Sequence, residues 1–256
     1  MKKYIRTERA CLFEPNVYIA VIATIKGNIP VDKIENAIEK AYQNNESTMS
    51  KIVLESNGQA YYEKLSKSGC KIIIHQREVE DVLRESEKNP FHINEGELIR
   101  TFIKKQNESI ELLIHAHHLA GDGKSIVLFL QDILTNLDGN QLVYKPLISM
   151  NEQMLKDKLK LPFLVKCFVD RINKKWLKEG KYFTWDEYFA IHTKYWEEHI
   201  SDFKWQHIYV DDIKKQGTPS YSINSYIVTK LLYEQEHAHT IGIPISVRGE
   251  NFSMSN

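Results

Sequence analysis

The chain has 256 residues, 42% of them hydrophobic, and its 34 lysines and arginines are matched by 34 aspartates and glutamates. That length suits one large domain or two small ones, and zero net charge argues against a general electrostatic grip on nucleic acid or on an anionic membrane. The opening MKKYIRTERA has no apolar core after its lysines, so it does not read as a signal peptide. No window comes near the roughly 18 uncharged apolar residues that a membrane span needs. Cys11, Cys70 and Cys167 are too widely spaced for a metal or redox motif, which points to a reducing, cytoplasmic setting.

In chain order, residues 17–25 (VYIAVIATI) read as a strand, β-branched and continuous, broken at Gly27-Asn28. Residues 31–42 read as a helix, with Val31, Ile34, Ile38 and Ala41 at helical spacing. Residues 51–54 and 60–63 flank Asn57-Gly58, a hairpin signal. Residues 71–75 form a short strand, and 79–87 a charged helix that stops before Pro90. Residues 98–105 and 109–118 pair as antiparallel strands around Gln106-Asn107-Glu108. Residues 124–137 are an amphipathic helix with Ile126, Val127, Leu130, Ile133, Leu134 and Leu137 on one side. The region 139–215, rich in Lys, Trp, Tyr and Phe, is mostly helical around 152–160, 163–178 and 185–199. Its basic-aromatic run at 171–176 reads as a solvated helix face with aromatic anchors packed inward, rather than as a nucleic-acid or membrane face. Gly217-Thr218-Pro219 marks a turn or linker, 223–233 a helix and 239–247 a strand. Strands and helices mix without strict alternation, so an α/β (α+β) fold is expected, a mixed sheet with helices packed on it.

The most informative stretch is His117-His118-Leu119-Ala120-Gly121-Asp122-Gly123, an HHxxxDG pattern directly after a strand. Chance produces such a pattern in on the order of one chain per thousand. Strand alternation places Leu112, Ile114, Ala116 and His118 on one face and Leu113, His115 and His117 on the other. His118 then closes an apolar row, where partial desolvation favours the neutral imidazole, a competent general base. A lone histidine in such a place is more often structural; the complete motif carries the functional reading. Asp122 reads as the N-cap of the next helix, or as a buried carboxylate whose arginine partner fixes the loop around His118, and the two roles are compatible. Gly121 and Gly123 allow positive φ or close approach, and a bulky residue at 123 would obstruct substrate access. Ser125 reads as an ordinary first-turn residue.

Residues 97–103 (ELIRTFI) followed by 112–125 (LLIHAHHLAGDGKS) resemble the core of the condensation-domain superfamily, which includes chloramphenicol acetyltransferase-like enzymes and alcohol O-acetyltransferases. Residues 241–249 (IGIPISVRG) are similar to its xGxPxxxR strand, and 222–228 (SINSYIV) to a helix of its second lobe. The resemblance runs from about Tyr4 to the end. It implies a chloramphenicol acetyltransferase-like fold: two lobes with a channel between them, in which an acyl thioester meets a nucleophilic alcohol or amine. The thioester is acyl-CoA or the phosphopantetheine arm of a carrier protein, as in alcohol acetylation or nonribosomal peptide synthesis. His118 is implied as general base, and Asp122 as a structural residue paired with an arginine, Arg248 first and Arg100 second. His117 and Gly123 are implied as further supports of the site. No metal, bound cofactor or covalent acyl-enzyme is implied. Residues 1–215 would form the N-terminal lobe and 216–256 the start of a truncated second lobe, since family members continue well past the PxxxR strand. A homodimer that covers an exposed apolar lobe face is therefore expected. Two alternatives stand beside acyl transfer: an inactive, truncated binding or interaction module, and a metal-dependent hydrolase using His115, His117 and Asp122.

Overall fold

Two sheets organise the residues that this computed structural model describes, namely 2–5, 7–147, 163–180 and 182–200. The elements expected at 152–160, 217–219, 223–233 and 239–247, the lobe boundary at 215/216 and Arg248 lie outside them. In chain order the elements are β1 (Lys3–Tyr4), β2 (Tyr18–Lys26), α1 (Val31–Asn44), β3 (Ser50–Leu54), β4 (Ala60–Lys64), β5 (Lys71–Ile74), α2 (Val79–Lys88), β6 (Ile99–Lys105), β7 (Ser109–His117), α3 (Gly123–Leu137), α4 (Phe163–Glu179) and α5 (Trp185–Glu198). The expected mixed α/β architecture is present.

The smaller sheet is antiparallel, in the order β1-β4-β3. Its β3–β4 hairpin turns at Asn57-Gly58. Gly58 takes φ +78°, a conformation glycine adopts without a Cβ penalty, and the Asn57 side chain accepts from Gln59 N at 2.8 Å, the local bond that suits asparagine to turns. The larger sheet has the order β2-β7-β6-β5, antiparallel except for β5 beside β6. Its register sets the site: Tyr18 lies opposite His117, and Arg100 opposite His115.

Alternation gives the central strand β7 two different faces. Leu112, Ile114 and Ala116 join Ile34, Ile38 and Ala41 of α1 and Ile126, Phe129 and Ile133 of α3 in one fully enclosed core. Leu113, His115 and His117, on the other face, are equally buried, with α2 against them. The strand is therefore apolar on one side and polar-aromatic on the other, with neither side in water.

The buried stripe of α3 differs from the expected one. Val127 is 54% exposed and Leu134 is 38% exposed, whereas Phe129 is fully enclosed. Adjacent helical residues are about 100° apart, so a contact line through Ile126, Phe129, Ile133 and Leu137 turns Val127 and Leu134 outward. On α4, Phe168 is 65% exposed, and Val165, Val169 and Ile172 share its exposed stripe at helical spacing. Among the described residues no helix is long and apolar enough to cross a membrane.

Candidate functional site

β7 ends at His117, and residues 118–120 form a single 3₁₀ turn. This corrects the expectation that His118 continues the strand: the turn takes it off the pleat, so it does not close the Leu112–Ile114–Ala116 row. His117 makes the turn possible. Its backbone is extended, and its Nδ1 accepts the Leu119 N–H at 3.2 Å. A nitrogen that accepts is unprotonated, so the proton of neutral His117 lies on Nε2. The His118 N–H donates to Val17 O at 3.3 Å, just before β2. The His118 ring is half-buried, with Nδ1 enclosed and without a hydrogen-bond partner.

Gly121 closes the turn at φ 156° and ψ 175°, a region almost confined to glycine. Asp122 then caps α3. Its Oδ1 accepts from Ser125 N at 2.9 Å and Ser125 Oγ at 2.8 Å, which satisfies first-turn donors that the helix cannot. A Cβ added at Gly123 would meet nothing within 4 Å, so the space in front of the first turn of α3 is open.

Arg100 has a partner other than Asp122. Its Nε donates to Glu97 Oε1 at 2.7 Å, one terminal nitrogen to Ser86 O (2.8 Å) and Asn89 O (2.9 Å), and the other to Pro90 O (2.7 Å). The guanidinium also stacks 4.0 Å above the Phe91 ring. The reason is placement: Arg100 projects from the face of the sheet covered by α2, whereas α3, which Asp122 caps, packs with α1. Glu97 is buried and also receives Lys71 Nζ at 3.1 Å and His92 Nδ1 at 3.0 Å. Burial alone would raise its carboxyl, but the hydrogen bond and charge of Arg100 outweigh that and hold it below the ordinary carboxylate range. The Glu97-x-x-Arg100 spacing was the available signal for this pair.

A row of buried imidazoles connects these parts. Arg100 donates to Ser86 Oγ at 3.3 Å, and Ser86 Oγ bonds His115 Nδ1 at 2.7 Å. Tyr18 packs edge-on to His115 (5.0 Å) and His117 (6.1 Å), and its hydroxyl bonds His192 Nε2 of α5 at 2.8 Å. Burial, then the charges of Arg100 and His117, pushes His115 down to about 3. Burial, with His118, His192 and Arg100 nearby, pushes His117 down to about 3; burial pushes His192 down to about 4. All three are uncharged in the folded protein at neutral pH. Sequence reading did not find Ser86, Tyr18 or His192, and took Glu97 only as the opening residue of the 97–103 match; for His192 the apolar stripe at 185, 188, 189, 192 and 196 was the signal.

These depressed values set an acid limit. In the unfolded chain the imidazoles protonate near pH 6.5, so the stability they contribute is complete above that value and is lost as pH falls toward 3. Each fully buried imidazole contributes a slope of up to about 1.4 kcal/mol per pH unit. Urea unfolding at pH 7 and pH 5 is expected to show a loss of roughly 2–4 kcal/mol from His115 and His117 together. Equal midpoints would mean that the native state accommodates the charged imidazoles.

Among the described residues no three His, Cys, Asp or Glu side chains are grouped to hold a metal ion. The set named for a hydrolase is engaged elsewhere, His115 with Ser86, His117 with Leu119 and Asp122 with the α3 cap. A cavity of about 280 Å³ at the α2–β5–β6 edge is lined by Lys71, Arg77, Glu85, Ser86, His92 and Arg100, among others. A second, of about 460 Å³, lies beside α1. His118 lines neither.

No protein-family model matches the chain. A polyketide synthase-nonribosomal peptide synthetase of Aspergillus clavatus is 28% identical over 141 residues, which are 52% of this chain and 4% of that protein. The polyketide synthase-nonribosomal peptide synthetase pyiS of Pyricularia grisea is 27% identical over 130 residues, 48% of this chain and 3% of that protein. The chain thus spans a small fraction of the length of the curated relatives it matches. Among solved structures, the condensation domain from Monacolin K polyketide synthase MokA aligns with a TM-score of 0.50 at 11% identity, over 58% of this chain and 37% of that one. At that identity the likeness concerns fold: the arrangement is that of a condensation domain over part of its length.

Proposed function

We propose that this chain, whose fold is that of a condensation domain over part of its length, is a member of the condensation-domain superfamily and supplies the histidine-bearing lobe of an acyl-transfer site in which His118 takes the proton of an attacking alcohol or amine. The nucleophile's oxygen or nitrogen attacks the thioester carbonyl carbon. Its proton passes to the imidazole and on to the departing thiolate as the carbon–sulfur bond breaks. The donor is acyl-CoA or a carrier protein's phosphopantetheine thioester, and the proposed chemistry needs no bound cofactor. Histidine suits proton transfer near neutral pH.

One observation supports this reading above the others. The motif histidine lies on a tight turn, half-buried, bonded at its backbone to Val17 and braced by a buried neighbour and a capped helix, with open space before Gly123. A rigid mount of that kind gives a base a fixed approach to a substrate. His117, Asp122 and Gly123 support the site, and Arg100 acts at one remove through Ser86 and His115.

Thiol release from acetyl-CoA in the presence of simple alcohols and amines tests the reading, with acceptor-dependent release expected. A thioester left intact with and without an acceptor would favour a binding module, and release that does not depend on an acceptor would mean transfer of the acyl group to water. Gly123→Leu adds a sharper test. It is expected to fold, since Gly123 is an exposed first residue of α3 and a Cβ added there meets nothing within 4 Å, yet to impede transfer by filling the approach. Full activity in Gly123→Leu would move the approach path elsewhere.

A further inference from the structure

Helix α5 bonds the residues that lead into and begin β2 three times. Trp196 Nε1 donates to Pro15 O at 3.2 Å, Asn16 Nδ2 donates to Tyr195 Oη at 3.1 Å, and Tyr18 Oη bonds His192 Nε2 at 2.8 Å. The helix ends of these bonds, 192, 195 and 196, share one face at i, i+3 and i+4. The remaining residue of the segment, Val17, is the one whose carbonyl receives the His118 N–H. Residues 15, 16 and 18 are thus pinned to α5, and residue 17 holds the motif histidine. The same helix face is anchored deeper by Tyr188, whose hydroxyl donates to Phe91 O at 3.1 Å, and Phe91 packs on both His115 and His117.

We infer that α5 is a clamp that positions His118 through residues 15–18, with His192 and Trp196 as positioning residues. A single bond to Val17 O would not fix a ring on a turn if Val17 moved. Bonds on both sides of it remove that freedom, and the α5 face supplies them from an element distant in sequence. The proposal deepens the acyl-transfer reading, because positioning matters only if His118 acts on a substrate; its test does not depend on activity.

Amide hydrogen exchange and the imidazole resonances of His118 are to be measured in the full chain and in Trp196→Phe, His192→Phe and His192→Gln. Trp196→Phe keeps an aromatic ring at a part-buried position and removes one donor, so the fold is expected to be retained. In Trp196→Phe and His192→Phe the His118 amide is expected to exchange about tenfold faster, as a local opening, and its ring resonances to shift, while the Ile114 amide in mid-β7 keeps its protection. His192→Gln, which can still bond Tyr18, is expected to restore both signals. Unchanged His118 exchange and resonances in Trp196→Phe and His192→Phe would overturn the clamp. Loss of catalysis in His118→Ala with those signals unchanged would leave the acyl-transfer reading standing without it.

Discussion

Arg100→Met is expected to destabilise the lobe by about 3–5 kcal/mol, the usual cost of removing one member of a buried ion pair. Glu97 is only 2% exposed at its side chain, and without Arg100 its charge is left to Lys71, which is itself 55% exposed, and to His92. The loss extends beyond the pair. Ser86 O, Asn89 O and Pro90 O would each lose a donor, and two of these carbonyls close the C-terminal end of α2, where a cation also meets the helix dipole favourably. Against a total stability of about 5–15 kcal/mol, this is enough to leave a large unfolded fraction. Urea unfolding followed by circular dichroism measures it. The double variant Arg100→Met/Glu97→Leu should recover only part of the loss, since removing both charges relieves the buried carboxylate but not the orphaned carbonyls. Wild-type stability in Arg100→Met would mean that the pair is not structural.

His118→Ala is expected to leave that stability nearly unchanged and to lower acyl transfer by about a hundred- to ten-thousand-fold, the range for losing a general base. The side chain makes no hydrogen bond that the fold requires: its Nδ1 has no partner, and the bond to Val17 uses its backbone. His117→Ala is a useful contrast. That ring is 1% exposed, caps the turn and packs on Tyr18 and Phe91, so its loss should appear first in unfolding. Adjacent histidines therefore separate, one failing in stability and the other in turnover.

Much of this was legible in the chain for physical reasons that can be named. The apolar run within 109–118, the Asn57-Gly58 turn and an aspartate at the head of an apolar helical stripe are local signals, and the structure places β7, the β3–β4 hairpin and α3 there. What was not legible was set by contacts distant in sequence. The strand reading carried His118 one residue too far, because the turn depends on a side-chain-to-backbone bond from His117 to Leu119. Arg100 was named, second to Arg248, as partner of an aspartate 22 residues away, although a glutamate three residues before it lay within reach once Gly96, at φ 93°, turned the chain into β6. The phase of α3 was misjudged because apolar Val127 and Leu134 neighbour the true stripe and only the packed sheet decides between them. Tyr18 and His192 meet across 174 residues, a separation that no local pattern spans.

The most direct measurement is single-turnover acyl transfer from acetyl-CoA to an alcohol or amine acceptor, followed by mass spectrometry of the product in wild type, His118→Ala and the exposed-neighbour control Lys124→Ala. Product is expected from wild type and Lys124→Ala at similar rates, and at least a hundredfold less from a folded His118→Ala. Product from His118→Ala at the wild-type rate would contradict the role of His118 as general base.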